Sequence, residues 1–484
     1  MSAITYQDLA LSIAQVDMFE SLIITQVPKK HSKLEVSALL AGTLKEEEFY
    51  RIDDTVTITY KKGGKTKILF SGIIDKLSLE KDGGKRRIVI TAFDHTWSMD
   101  QIRRKRLFQN PSMKIKEVVE EVLSSYPKSD FLFQIENKEI GRLFIQYEET
   151  DWEFLKRFLS NYKAIPYPEI THLTEKIQIG LQTKPSSCNF DSLPYEMIQD
   201  FETYYEKKKN GEENLTLLNN MGYRIESYDL VEIGDQLQYK GKAWYVSSVT
   251  RKLKKGLLVN TYELHQKERL QPVPYGNKKI TGISIDGVVS DIRRNKVQVK
   301  MEIEAGNGGS SNYWFPFSTV ASSSDGSGWY CMPEKGESVR VYFPVENEKE
   351  GYVVTSIKAH EPQQSGATST GSAGNQGGSS DPMGDPSVRN IQTEQNNQVQ
   401  FKEDGVYIAA GEGNGSIVLK NDGTVVLDAL QDIKITAGEM LNIIAKNELN
   451  VKSQTKIQMM SDSGADIEIK QGEIALHGMT IVEN

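Results

Sequence analysis

The sequence predicts a mainly β fold with a minor α segment, built from tandem small barrels, a further barrel and a C-terminal triple-stranded intertwined β-helix. Three observations predict it. A turn followed by an alternating strand recurs three times, the composition shifts once into glycine and serine, and an eight-residue apolar repeat follows that shift. With 484 residues the chain has room for three or four domains.

The recurring pattern is Ile52-Asp-Asp-Thr-Val-Thr-Ile-Thr-Tyr60, Ile233-Gly-Asp-Gln-Leu-Gln-Tyr239 and Lys335-Gly-Glu-Ser-Val-Arg-Val-Tyr-Phe343. Each strand runs into a polar turn (Lys61–Gly64, Lys240–Lys242, Glu346–Lys349) and then a second strand, which is the signal of a hairpin. Three antiparallel barrels in series account for it, at 1–105, 170–277 and 278–360. Residues 106–169 separate the first two and read as helical or mixed. Ile115, Val118, Val119 and Val122 share one face of a helix over about 112–126, stopped by Pro127. A second helix opens with Thr150 and Glu153 in capping-box spacing and carries Trp152, Leu155, Leu159 and Tyr162 as an apolar stripe.

The run from Gln363 to Ser387 has almost no large apolar residue and cannot build a core, so 361–400 reads as a Gly/Ser-rich linker. Beyond it, in 401–484, apolar pairs recur every eight residues: Ile417/Leu419, Val425/Leu427, Ile433/Ile435, Leu441/Ile443, Leu449/Val451 and Ile457/Met459. Each octad is a short strand with one apolar face and a polar corner. Two apolar side chains per strand make no core alone, so the strands must stack, within one chain or as three chains winding together. The three-chain rod gains more layers from the same sequence and places these twelve residues in a trimer core.

Charge and composition narrow the function classes. The net charge of −8 argues against nucleic acid as a partner, and two cysteines, Cys188 and Cys331, make neither a disulfide framework nor a zinc site. No stretch has the roughly 18 uncharged apolar residues of a membrane span, and the first residues lack the basic start of a secretory signal. Folding in a cytoplasm is therefore expected. Seven lysines against fourteen acidic residues in 390–484 give the rod a solvated anionic exterior.

Particular segments then carry a resemblance. Phe70-Ser-Gly-Ile-Ile-Asp75, Trp97-Ser-Met-Asp-Gln-Ile-Arg-Arg-Lys-Arg-Leu-Phe-Gln109 and Gln146-Tyr-Glu-Glu-Thr-Asp-Trp-Glu-Phe-Leu-Lys-Arg-Phe-Leu159 are similar to the hub of the VgrG family. Gly328–Phe343 and Glu350–Ser356 resemble its OB-like barrel. In order, the whole chain resembles this family, the trimeric spike of contractile injection systems such as type VI secretion and phage tails. The resemblance implies hub barrels at 1–105 and 170–277, an OB-like barrel at 278–360 and a needle at 401–484. It implies a homotrimer that adapts a hexameric tube to the needle, two similar barrels per chain giving six contacts. Further implied partners are baseplate and sheath components, effectors, a transiently crossed target membrane, and a small PAAR-like protein capping the tip at Leu476, Met479, Ile481 and Val482. The particle would assemble in the cytoplasm and be delivered outside on contraction. The linker is long for the family, and no toxin domain is expected after Asn484.

Catalytic patterns are missing from the sequence: it has no GxSxG elbow, HExxH or Walker loop. Glu148-Glu149 reads as a charged helix start. Three copies of His477 near a tip would suit a metal, but strand alternation turns it outward and no second histidine lies two residues away. The expectation is a protein that is no enzyme, with no catalytic, cofactor or metal site. A tail-associated cell-wall hydrolase hidden in 100–230 and a structural tail adhesin are the alternatives.

Overall fold

The computed structural model describes residues 3–41, 52–82, 84–212, 215–303, 312–318, 321–322, 328–329, 332–354, 388–393, 395–462, 464, 466–470 and 473–478. Two compact units divide the chain, Met1–Pro362 and Gln363–Asn484. Strands β1 (Leu9–Leu11), β2 (Val16–Gln26), β3 (Lys33–Leu40), β4 (Thr55–Lys62), β5 (Lys65–Asp82) and β6 (Lys85–Asp94) come first. After them come β7 (Arg103–Phe108), helix α1 (Ile115–Leu123), β8 (Asp130–Phe133), β9 (Phe144–Thr150), helix α2 (Asp151–Ser160), β10 (Pro166–Pro168) and β11 (Lys176–Ile179). The next stretch holds β12 (Tyr195–Gln199), α3 (Phe201–Lys209), α4 (Leu217–Asn220), β13 (Met221–Ser227), β14 (Gln236–Tyr239), β15 (Lys242–Lys254), β16 (Leu257–His265) and α5 (Lys267–Leu270).

The first two strand groups, read from the sequence as tandem barrels, are continuous with each other. They share one eleven-stranded sheet, joined where β2 pairs antiparallel with β15 in the register Gln26↔Val249 to Ile23↔Lys252. Burial explains the join: Ile24 on β2 and Val249 on β15 are fully buried, so neither strand is a solvated edge. Two cores lie along the sheet, one around Leu22, Val36, Phe70 and Ile90, the other around Leu237, Trp244, Tyr262 and Leu264.

Local chemistry sets the hairpins. Gly63 and Gly64 close β4 onto β5, and Lys240 and Gly241 close β14 onto β15, all four at positive φ as two-residue turns between right-twisted strands require. Helix α1 buries Ile115, Val118, Val119 and Val122 as its spacing demands. In α2 the Thr150 side chain accepts from the Glu153 N–H while Glu153 accepts from the Thr150 N–H, so both ends of the capping box are made. Helix α3 was not foreseen within the second strand group. It buries no residue, so it leaves no apolar stripe to read.

The remainder of the first unit is a small barrel, comprising β17 (Ile283–Arg293), β18 (Lys296–Met301), β19 (Trp314–Pro316), β20 (Ala321–Ser322), β21 (Gly328–Trp329), β22 (Ser338–Phe343) and β23 (Tyr352–Val354). Its main sheet runs β19-β18-β17-β22-β23. Its core, Val289, Val299, Phe315, Val341 and Phe343, also takes in Leu143 and Ile145 from the β9 region.

The second unit contains β24 (Arg389–Gln392), β25 (Gln398–Lys402), β26 (Gly405–Ala410), β27 (Gly415–Lys420) and β28 (Val425–Ala429) as one antiparallel meander. A second meander follows with β29 (Lys456–Met460), β30 (Asp466–Lys470) and β31 (Glu473–His477). The first two octads pair as a hairpin, Ile417 opposite Leu427 and Leu419 opposite Val425. Between β28 and β29 the chain has no strand partner of its own.

His265 at the end of β16 is buried, with Nδ1 2.7 Å from Ser247 Oγ, and its ring sits where any Cβ on Gly222 would collide at 2.5 Å. Burial, reinforced by Arg269, pushes its pKa down to about 4. A histidine kept neutral in the fold and titrating near 6.5 when unfolded contributes stability that is complete above pH 6.5 and is lost as pH falls through 4. The shift corresponds to about 3 kcal/mol. Urea unfolding of the parent is expected to weaken across that window, and His265→Gln to flatten that part of the profile. Equal slopes in the two proteins would show that the imidazole is not the group responsible.

Candidate functional site

The segment Gln146–Leu159, singled out by its sequence, builds two buried ionic clusters. Strand β9 pairs with β7, and the register slips between Arg104 and Lys105. The extra residue is Glu148, at φ +52°. Because one residue is inserted, Glu149 lies on the face opposite Tyr147, two residues before it, where a regular strand would put both on one face. Glu148 is half-buried and pairs with Lys105 at 3.0 Å, whereas Glu149 is 5% exposed.

Asp151, at the first position of α2, is fully buried. It accepts from Arg106, from Gln146 Nε2 at 2.8 Å and from the Tyr126 hydroxyl at 2.8 Å, and Arg104 Nε lies 3.2 Å away. A carboxylate at a helix N-terminus is favoured by the helix dipole, and here it also ties α2 to β7 and to the end of α1. Burial and the nearby Asp151 charge push the Tyr126 pKa well up, which keeps its hydroxyl a donor.

Nearly two turns further along α2, Arg157 is 1% exposed and bound at all three of its side-chain nitrogens. Its Nε and Nη2 grip Glu149 at 2.7 and 2.8 Å, Nη2 also reaches the Ile145 carbonyl at 2.7 Å, and Nη1 donates to Glu348 at 2.7 Å. Glu348 is fully buried and belongs to the turn between β22 and β23, so the small barrel inserts a carboxylate into the helix-bearing part. Arg142 binds its other oxygen at 3.0 Å. Neighbouring bonds reinforce the contact, from Lys279 Nζ to the Glu148 carbonyl at 2.6 Å and from Gln109 Nε2 to the Val299 carbonyl at 3.2 Å. Burial pushes the Glu149 carboxyl pKa up, Arg157 only partly offsetting it. On Arg157, the two glutamates outweigh burial and hold its pKa above the ordinary value.

Sequence reasoning missed Arg157, Arg106 and Glu348. Arg157 interrupts the stripe Phe154, Leu155, Phe158, and a cation inside an apolar stripe is the available signal. Its helical partner at i−4 is Glu153, which is occupied in the capping box. Glu149 being buried also corrects the reading of Glu148-Glu149 as one exposed charged start.

In the second unit the octad residues are exposed in one chain. Val425 is 62% exposed, Ile433 57%, Ile443 65% and Val451 61%, and Ile435, Leu441 and Leu449 are similar. Ile417, Leu427 and Ile433 come together with Val399 and Ile408 along an open apolar cavity of about 690 Å³. Leu419, facing Val425, is also exposed. Ile457 and Met459 pair with Ile469 and Ile467, and Leu476 pairs with Ile467. Met479, Ile481 and Val482 lie outside the described residues. His477 is exposed, 3.2 Å from Asp466, and no group of three metal-ligating side chains occurs among the described residues.

Known proteins match this arrangement. Residues 31–164 match the phage tail baseplate hub (GPD), and residues 285–357 match the type VI secretion system/phage-baseplate injector OB domain. The half-lidded PdpA–VgrG complex of Francisella is similar with TM-score 0.51 and 10% identity, over 85% of this chain and 83% of that one. The c3393 protein of E. coli, a type VI secretion component similar to the T4 tail proteins gp27 and gp5, aligns with TM-score 0.49 and 13% identity over 71% of this chain and 98% of its own. The 43 kDa tail protein of prophage MuSo2 from Shewanella oneidensis aligns with TM-score 0.42 and 9% identity, over 56% and 99%. No curated protein matches the chain. The chain therefore carries, in this order, a segment matching a phage baseplate hub and a segment matching an injector OB domain. The fold of the chain is thus similar to that of the VgrG subunit in the Francisella complex. No helix among the described residues is long and apolar enough to cross a membrane.

The two neighbouring glutamates separate the contributions. Glu149→Ala leaves Arg157 without its bidentate partner in a dry site and is expected to cost about 3–5 kcal/mol, whereas Glu148→Ala removes only an exposed pair and should stay within about 1 kcal/mol. Glu348→Ala is expected to lower the melting temperature and to separate the OB domain's unfolding from the hub's in calorimetry. A single transition in that variant would mean the shared core around Leu143 and Ile145 is sufficient to couple them.

Proposed function

We propose that three copies of the chain form the central spike of a contractile injection system, adapting a hexameric tube above to a cell-puncturing needle below. The observation that carries this reading is the exposure of the octad face. Burying each of these Leu, Ile and Val side chains is worth on the order of 1–2 kcal/mol, and one chain supplies no second layer to do it. Three copies around an axis bring Ile417, Leu419, Val425, Leu427, Ile433, Ile435, Leu441, Ile443, Leu449, Val451, Ile457 and Met459 onto one another as the trimer core, with one strand per chain in each layer. The boundaries that suit this role are hub segments 1–105, 106–169 and 170–277, an OB-like barrel at 278–360, a linker at 361–400 and a needle at 401–484.

The role is mechanical rather than catalytic. The ionic clusters around Asp151 and Arg157 are saturated with internal partners, as structural locks are, and the matched domains are baseplate components. Two sets of strands per chain give a trimer six tube contacts, and baseplate and sheath proteins surround the hub. A small PAAR-like cap on Leu476, Met479, Ile481 and Val482, with effectors as cargo, completes the tip. The particle assembles in the cytoplasm and delivers the needle outside the cell.

Light scattering on the full chain is expected to give three times the 54.5 kDa chain mass, and truncation at Pro386 to weaken association. A monomer at micromolar concentration overturns the proposal. Ile433→Asp is expected to dissociate or melt the trimer and Lys434→Asp to leave it unchanged; the reverse ranking would show that the inward register is wrong.

A further inference from the structure

A basic cleft of about 460 Å³ lies in the first unit, and neither Asp151, Arg157 nor their ionic partners line it. It forms where the turn joining β2 to β3, the short helical turn His95–Asp100 and the first turns of α2 come together. Lys29, Lys30, Lys33 and Lys156 line it, against a single lining carboxylate, Asp100. Asp100 is already held by His31 Nε2 at 2.9 Å and by the Thr150 hydroxyl, and Lys33 is paired with Glu35 at 2.7 Å. Among the described residues, Lys29, Lys30 and Lys156 have no carboxylate within ion-pair distance.

The arrangement is held under electrostatic and backbone strain. Lys29 sits at φ +65°, a conformation a lysine rarely adopts, which places its side chain at the cleft. Although Lys29 is solvent-exposed at the rim, the surrounding protein and the Lys156 charge lower its pKa, and Lys156 is lowered by burial. The positive field continues beyond the cleft to Lys207 on α3, whose pKa is pushed down to about 8 by burial, Arg269 and Lys29. Like charges kept this close destabilise the free protein, and a bound anion relieves them.

The remaining wall is aromatic. Trp97 and Phe93 lie 5.4 Å apart between ring centres, and Trp152, under His31 at 4.9 Å, has an indole N–H without an acceptor among the described residues. No arginine lines the cleft, so the planar fork that fixes phosphate geometry is missing. The cleft is open along one side, whereas small-ligand sites enclose most of their ligand. A segment of a larger partner, held also by contacts outside the cleft, suits such an opening.

We propose that this cleft docks an acidic peptide segment of a partner protein, with carboxylates against Lys29 and Lys156 and an aromatic or apolar side chain against Trp97 and Phe93. The site is independent of the trimer reading, because every residue in it comes from one chain.

The test uses the full chain and an array of short fluorescent peptides, each with three or four Asp or Glu residues around one Trp, Phe or Leu, read by anisotropy. At least one is expected to bind with micromolar affinity. Lys29→Gln with Lys156→Gln should weaken it at least tenfold and Trp97→Ala at least threefold, with Lys254→Gln, at a remote exposed lysine, without effect. The lysine variants are checked by thermal melting, and the single Lys29→Gln, at the exposed rim, serves if the double variant does not fold. Binding to no peptide in the array, or equal binding by parent and both lysine variants, overturns the proposal. Inorganic phosphate or adenosine triphosphate displacing the peptide at lower concentration than the peptide itself would make the cleft a small-anion site and overturn it equally.

Discussion

The bidentate grip of Arg157 on Glu149, with Glu348 on its remaining nitrogen, is the constraint on which the first unit depends. An arginine with almost no exposed surface is tolerable only if its donors are nearly all matched, and matching them requires three separate pieces of chain at once. Strand β9 must carry a bulge so that Glu149 turns inward, α2 must start at a capped Thr150 so that Arg157 falls opposite it, and the small barrel must present Glu348. Asp151 does the same for β7 and α1 with a carboxylate at the centre in place of a guanidinium. The hub and the OB domain are therefore fixed by stoichiometric charge matching as well as by shared apolar core.

This explains why the most recognisable stretch of the sequence is so closely constrained. Gln146, Glu149, Thr150, Asp151 and Arg157 each make specific polar contacts, so the residue types are constrained one by one, as in an active site. Their partners are all within the chain, and the side chains are sealed from water. Such internally matched contacts tie β7, β9, α2 and the small barrel together.

How much of this was legible in the sequence divides along the range of the interaction. The capping box at Thr150 and Glu153, the buried face of Ile115 to Val122, and the two-residue turns at Gly63-Gly64 and Lys240-Gly241 are decided within a few residues, and the structure forms them. The pairing of Gln26 with Val249 and the contact of Arg157 with Glu348 join distant segments, and no local pattern encodes them. Helix α3 escaped notice because a helix without a buried side has no apolar period. The octads are a mixed case. Their period is plain, but a period states only that a face must be covered and is silent about what covers it.

The exposed octad face also bears on how the molecule comes into being. The first unit can complete its cores as soon as its own chain is made, since Phe70, Trp152 and Phe343 find all their neighbours within it. The second unit offers apolar strands such as Val425–Ala429 with one side open, and chains of this kind reach their lowest free energy only on encounter. For a trimer of the kind proposed, the maturation rate would depend on protomer concentration, and stability would have no value independent of that concentration. Until encounter, the open strands are templates for indiscriminate strand addition. The twofold excess of acidic over basic residues in this tail makes copies of the chain repel one another at a distance and slows indiscriminate encounter, a kinetic safeguard in the same residues that the proposed rod would present to water.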